Sequence, residues 1–179
     1  MSNRMSGIAV SGKSGCGNTT TSALVAHDLG LILVNYTFRN LAADEGMEFE
    51  ELRRLAEIDD QWDKLVDKRQ VEMANAHPSV LASRLAIWVW ETAKLKVYLD
   101  APLTVRAQRI FLREKEKGVF QTFEEASEHT RVRDEADHRR YQRLYGIDND
   151  DWSQADLVID ATLPRNEIVN KIVQIWKAL

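Results

Sequence analysis

The sequence predicts a three-layered α/β fold in which about five parallel strands form one sheet covered by helices on both faces. Three observations carry this. Short β-like runs, "GIAV" at 7–10, "LILV" at 31–34, "SVLA" at 79–82, "LKVYL" at 95–99 and "DLVID" at 156–160, stand far apart along the chain. The longer stretches between them repeat apolar residues at helical spacing. Parallel neighbours need a crossover, usually helical, so this alternation favours a doubly wound parallel sheet. Ligands in such folds bind at the carboxyl ends of the strands.

At 179 residues, 44% apolar and 29% charged, the chain can bury a sizeable core, and a single domain over residues 1–179 is expected. A net charge of −4 leaves no global field to hold a nucleic-acid backbone, so no polynucleotide partner is expected. One cysteine makes no internal disulfide and no stretch has the pattern of a secretory signal, which points to a cytoplasmic protein. The longest apolar run, "LAIWVW" at 85–90, is far below the ~20 residues that span a bilayer, so no membrane partner is expected.

The first strand leads into "VSGKSGCGNTTTS" at 10–22. The phosphate-binding pattern G-x-x-x-x-G-K-[ST] has three of its four fixed positions filled, by Gly12, Gly17 and Thr19, while Asn18 stands where the lysine belongs. Glycines let backbone N–H groups approach phosphate oxygens, and the helix beginning near Thr19 turns its positive end on the same anion. Residues Gly12, Lys13, Ser14, Gly15, Cys16, Gly17, Asn18, Thr19 and Thr20 are the candidate nucleotide-binding loop, with the Thr19 hydroxyl placed for Mg²⁺. A plain glycine-rich turn is the alternative. Loss of the lysine removes a stabiliser of transition-state charge, typically worth on the order of 10²–10³ in rate. Lys13 is a candidate replacement, or else a solvated loop lysine. Cys16 is either a thiol activated by the helix N-terminus or a small loop residue. Gly30 then ends the helix "TTTSALVAHDLG".

Two helix-rich interruptions follow, one after the second strand and one over residues 102–146, where Gly118 breaks a helical pattern. Phosphoryl transfer asks for placed positive charge, and bidentate guanidinium suits phosphate. Arg39, in "VNYTFRNLA", and Arg84, in "SVLASRLAIW", follow the second and third strands, where the site belongs. In "TVRAQRIFLRE", Arg106, Arg109 and Arg113 share one helical face, and so do Arg133 and Arg140 further on. Residues 113–143 hold eight basic and eight acidic side chains, so a self-paired solvated surface is the competing reading of these charges.

The ordered blocks "FRNLA…GM…FEEL", "LASRLAIW", "LKVYLDAPLTVRAQRI" and "YGIDNDD", together with the loop, resemble the nucleoside monophosphate kinases, and most closely the archaeal-type cytidylate kinases, over nearly the whole chain. The resemblance implies a three-layer P-loop kinase fold with a helical acceptor-binding insertion at about 36–78 and a lid at about 113–133. It implies transfer of the ATP γ-phosphate to CMP or dCMP with Mg²⁺, by a monomer acting on free nucleotides. Arg39 and Arg84 then match positions that hold the acceptor phosphate. Arg109, Arg113, Arg133 and Arg140 match arginines brought onto the transferring group by lid closure. Asp63, Asp67 and Gln70 fall in the flap that recognises the acceptor base, where a carboxylate or amide reads the cytosine edge. The family loop often lacks the lysine and carries threonine there, so Asn18 varies a tolerated departure. Two departures stand out: Ala82 replaces a usual acidic residue after the third strand, and the turn "NYTFR" is about two residues short and lacks its glycine.

Other features read as structural. Trp62, Trp88, Trp90, Trp152 and Trp176 are scattered and suit packing, with acceptor contact a secondary reading for Trp88. His27, His77, His129 and His138 show no zinc-ligand spacing, and "GIDNDDW" is too short for a helix-loop-helix calcium loop. Two other classes compete with the kinase of a nucleoside monophosphate: a nucleotide-binding regulator that has lost turnover, and a P-loop kinase of another small acceptor.

Overall fold

A computed structural model describes residues 5–179. Five strands, β1 (Met5–Ser11), β2 (Ile32–Val34), β3 (Ser79–Ala82), β4 (Ala93–Asp100) and β5 (Leu157–Asp160), form a sheet of order β2-β3-β1-β4-β5. Each neighbouring pair is parallel, as the alternation of strand and helix predicts.

The strand period of two divides the apolar residues between two faces. Ile8, Val10, Val80, Val97, Leu99 and Ile159 pack on one side against Val25 and Ala26 of α1 (Asn18–Leu29) and Ile168, Val169 and Ile172 of α8 (Arg165–Ala178). Ala9, Leu81 and Tyr98 face the other side, towards α5 (Ala86–Val89) and Tyr141 of α7 (Phe123–Tyr145). Helix, sheet and helix make the three layers. Trp88 and Trp90 both enter this second core, because α5 is only four residues long and Trp90 lies just past its end. Trp88 meets Tyr98 edge to face at 6.0 Å, so it packs in the core and does not line the large cavity described below.

Between β2 and β3 the chain makes α2 (Phe38–Asp44), α3 (Phe49–Ile58) and α4 (Gln61–Ala76), which close a small core of Tyr36, Leu41, Ala42, Leu52 and Val66. Between β4 and β5 it makes α6 (Leu103–Lys115) and α7. Gly118, at φ 68°, lies in the turn between these helices, and Thr122 with Glu125 forms a capping box that starts α7. At the front of α1, Gly17 takes φ 91°, a left-handed conformation in which most side chains are strained. Gly30 closes α1 in the same conformation, with its N–H on Ala26 O and His27 O. Because all strands run the same way, their carboxyl ends meet along one edge, and the segments that follow β1, β2 and β3 line one cavity there.

Candidate active site

The cavity has a volume of about 1040 Å³ and runs from the loop after β1 to the face of α4, with α7 as its far wall. Ten of its lining residues are basic and four are acidic, so it presents an excess of positive charge.

The loop forms one end. Lys13, Ser14, Gly15, Gly17, Asn18, Thr19 and Thr20 line the cavity, and the side chains of Thr19 and Thr20 are exposed to it. Gly12 lies beneath, in a small side pocket with Tyr98, Asp134, Asp137 and Asn149. Asn18 turns back on its own loop: Nδ2 donates to Gly12 O at 2.6 Å, and Oδ1 is buried without a partner. Lys13 ion-pairs with Asp150 in the turn after α7. The Cys16 side chain does not face the cavity. It is 4% exposed within the sheet core, and burial pushes its thiol up to about 11, so the activated-thiol reading is corrected to a packing role.

Arg106 fixes the loop in place. Its side chain is buried, donating from Nε to Ala101 O at 3.0 Å and from Nη1 to Ser14 O at 3.1 Å, while Nη2 reaches Asp134 of α7 at 2.6 Å. Gly15 permits the close approach this needs, since a Cβ there would sit 2.7 Å from Arg106 O and its φ is 89°. Arg109 adds a second tether, donating to Gly15 O at 3.4 Å and Ala161 O at 2.7 Å. Its spacing with Arg109 puts Arg106 on the right face, yet nothing in the sequence shows that Arg106 is the buried member.

The opposite wall is α4. Asp63, Asp67 and Gln70 lie on one face of that helix and line the cavity. Gln70 Nε2 donates to Tyr36 O at 2.7 Å, leaving Oε1 buried and unpartnered. Asp63 binds Arg140 through Oδ1, and its Oδ2 is likewise buried without a partner. Burial pushes Asp67 up to about 6, although the hydrogen bond it accepts from Tyr145 Oη at 2.6 Å pulls the other way.

Arginines of α7 and β3's end complete the site. Arg84 pairs with Asp137, and the neighbouring Arg84 charge, followed by burial, lowers the pKa of Arg133. Arg113 and Arg133 line the cavity, and Arg140 also lies over the Phe38 ring at 5.8 Å. Asp134 and Asp137 tie α7 to Arg106 and Arg84, so Arg133 and Arg140 stand at the cavity on a helix anchored to the sheet side. Arg39 is corrected: it is exposed, lies over the Phe49 ring at 4.1 Å and does not line the cavity. It is the residue after Phe38, which lines the cavity, and one helical step of about 100° turns it outward. Arg53, Arg139, Arg143 and Arg165 line the cavity without having been singled out in the sequence, where they carry no strand-end or motif signal.

The family described as "Cytidylate kinase-like family" matches residues 7–163. The chain belongs to that family. "Cytidylate kinase 2" of Borreliella burgdorferi is 44% identical over 170 residues, covering 92% of this chain and 92% of the relative. Cytidylate kinase of Pyrococcus horikoshii is 40% identical over 169 residues, covering 93% and 85%. Among solved structures, shikimate kinase from Acinetobacter baumannii in complex with shikimate superposes with a TM-score of 0.59 at 18% identity, covering 97% of this chain and 94% of that one. Deoxyadenosine kinase from M. mycoides with bound dCTP gives 0.59 at 14%, covering 97% and 100%. At such identities the superpositions show a shared fold, that of P-loop kinases.

Proposed function

We propose that this member of the cytidylate kinase-like family transfers the γ-phosphate of ATP to CMP or dCMP, giving CDP or dCDP. The observation that carries the reading is the pair of buried, unpartnered acceptors, Asp63 Oδ2 and Gln70 Oε1, on the cavity wall opposite the phosphate loop. A buried acceptor without a donor is costly, by roughly 1–3 kcal/mol, until a ligand satisfies it. The 4-amino group of cytosine offers two N–H donors for such a pair. Uracil would bring a carbonyl oxygen to the same place, where acceptors repel it, so the arrangement favours CMP over UMP. The homology to cytidylate kinases of bacteria and archaea points the same way.

In the reaction, an oxygen of the acceptor's phosphate attacks the γ-phosphorus in line, the bond to the β,γ-bridging oxygen breaks, and ADP leaves with that electron pair. The attacking oxygen is already anionic, so the protein's task is to position and neutralise charge. Arg84 holds the acceptor phosphate. Arg113, Arg133 and Arg140 surround the transferring group, Arg140 being shared with Asp63, while Arg109, matched to the same set by sequence, braces the loop through Gly15 O and Ala161 O. Asp67 supports the base-reading face. The loop backbone and the start of α1 hold the donor phosphates. For Mg²⁺ the donor set fits: the Thr19 hydroxyl opens on the cavity beside the loop, and Mg²⁺ needs few protein oxygens because it keeps waters and takes phosphate oxygens. When bound it would neutralise donor-phosphate charge. The proposal also takes the protein to be a cytoplasmic monomer that acts on free nucleotides, with neither polynucleotide nor membrane as partner.

The test is a coupled assay of ATP with CMP, dCMP, UMP, AMP and GMP, with and without Mg²⁺. CMP or dCMP should be turned over best, and only with the metal. ATP binding with no turnover of any nucleoside monophosphate would contradict the proposal in favour of a nucleotide-binding regulator.

A further inference from the structure

We infer that Arg165, the first residue of α8, supplies the donor-phosphate charge that a lysine at position 18 would otherwise provide. The inference rests on the reading of the loop as the ATP site.

The loop itself has no free cation. Asn18 is neutral and folded onto Gly12 O, and Lys13 is paired with Asp150. Arg106 is saturated by Ala101 O, Ser14 O and Asp134, and Arg109 is spent on Gly15 O and Ala161 O. Arg165 differs. It lines the cavity, and its Nη2 lies 3.6 Å from where a Cβ on Gly17 would stand, beside the glycine that immediately precedes position 18. Pro164 is the N-cap residue of α8, which makes Arg165 the first residue of the helix.

The ordinary reading of an exposed arginine is a solvated surface group, but the pattern of pairing in this chain argues otherwise. Exposed Arg53, Arg69, Arg113, Arg131 and Arg143 each pair with a carboxylate. Among the described residues, the arginines that make no hydrogen bond, ion pair or ring contact are Arg133, Arg139 and Arg165, and all three line the cavity. Arg133 and Arg139 sit on α7, on the wall facing the acceptor, so Arg165 is the unpartnered guanidinium at the loop end. Beside the positive end of α1 it is placed for a phosphate oxygen, with which a guanidinium forms a charge-assisted, bidentate bond.

Calorimetric titration of wild type, Arg165→Ala and Arg165→Lys with ATP, ADP, adenosine and CMP, each alone, tests this. Arg165→Ala should weaken ATP and ADP about 10- to 100-fold, as expected for a hydrogen bond to a charged group, and leave adenosine and CMP unchanged. Arg165→Lys should recover part of the loss, because an ammonium keeps the charge without the fork. Unchanged ATP affinity in Arg165→Ala, at an unchanged melting temperature, overturns the inference. So does a loss for adenosine as large as that for ATP, which would make Arg165 a base-stacking group. If the wild type binds CMP but neither ATP nor ADP, the reading of the loop itself fails, an outcome distinct from a variant that binds ATP as the wild type does.

Discussion

The two ends of the cavity are built on opposite plans. At the loop end most charged groups are already committed: Lys13 to Asp150, Arg106 to Asp134 and Ser14 O, Arg109 to Gly15 O and Ala161 O. What is left for an anion is backbone, the start of α1 and Arg165. Along α4 and α7 some groups are left over: Asp63 Oδ2 and Gln70 Oε1 lack donors, and Arg133 and Arg139 make no ion pair. One end holds a fixed shape by spending most of its charged groups internally, whereas the other keeps some of its groups in reserve for a ligand. Natural proteins break local satisfaction rules mostly where they function.

The largest effect should come from breaking the committed end. Arg106→Leu leaves Asp134 without its partner and frees Ser14 O, and removing one member of a buried ion pair costs about 3–5 kcal/mol. Urea denaturation should show a loss of that size, and ATP affinity should fall with it because the loop loses its tether. Equal stability in the two proteins would show that the loop holds its shape without Arg106.

At the reserve end the expected effects fall on function. Arg84→Ala should lower kcat/KM for CMP by about 10- to 150-fold and spare ATP binding measured without acceptor, from the usual worth of a charge-assisted contact. Equal harm to ATP binding and thermal stability would make Arg84 a structural strut to Asp137.

Much of this architecture is legible in the sequence, and the exceptions have a common physical cause. The strands follow from branched, apolar runs, and α1 from the glycines on either side of it. The loop is legible because its backbone geometry requires glycines at fixed spacing. What the sequence hides is pairing over long separation. Asp150 claims Lys13, and Asp134 claims Arg106, across distances in the chain that no local pattern spans. Arg39 misleads for a related reason: following a strand puts it near the site, but the turn of α2 decides which way it points. Arg165 follows β5 with no motif around it, and only the packing of α8 beside α1 brings it to Gly17.

A pH titration probes the α4 face through Asp67. In the unfolded chain this carboxyl ionises at its ordinary 3.8, and in the folded protein at about 6. Between these values the folded protein holds a proton that the unfolded chain has lost, so the Asp67 contribution to stability falls as pH rises from about 4 to 6 and is level above. Asp67→Asn removes that slope. Relative to wild type the variant should gain on the order of 1–2 kcal/mol between pH 4 and pH 7, a full two-unit shift being discounted for screening through the open cavity. Parallel stability curves for the two proteins would contradict this reading of the α4 face.

The smallest effect belongs to Lys13. Its partner Asp150 is about half exposed, and such surface pairs contribute roughly 0–1 kcal/mol. With the donor-phosphate charge assigned to Arg165, Lys13→Ala should change the KM for ATP less than about fivefold. A much larger change would mean that Lys13 leaves Asp150 for the donor phosphates, erasing the contrast between the two ends.

The most direct measurement is the ratio of kcat/KM for CMP to that for UMP, in wild type and in Asp63→Asn. Taken as base-reading groups, the two unpartnered acceptors of α4 predict a wild-type preference for CMP of at least about tenfold, the equivalent of 1.4 kcal/mol. In Asp63→Asn the new amide donor should narrow the ratio. A wild-type ratio near one, or a ratio untouched by Asp63→Asn in a folded protein, would contradict the account.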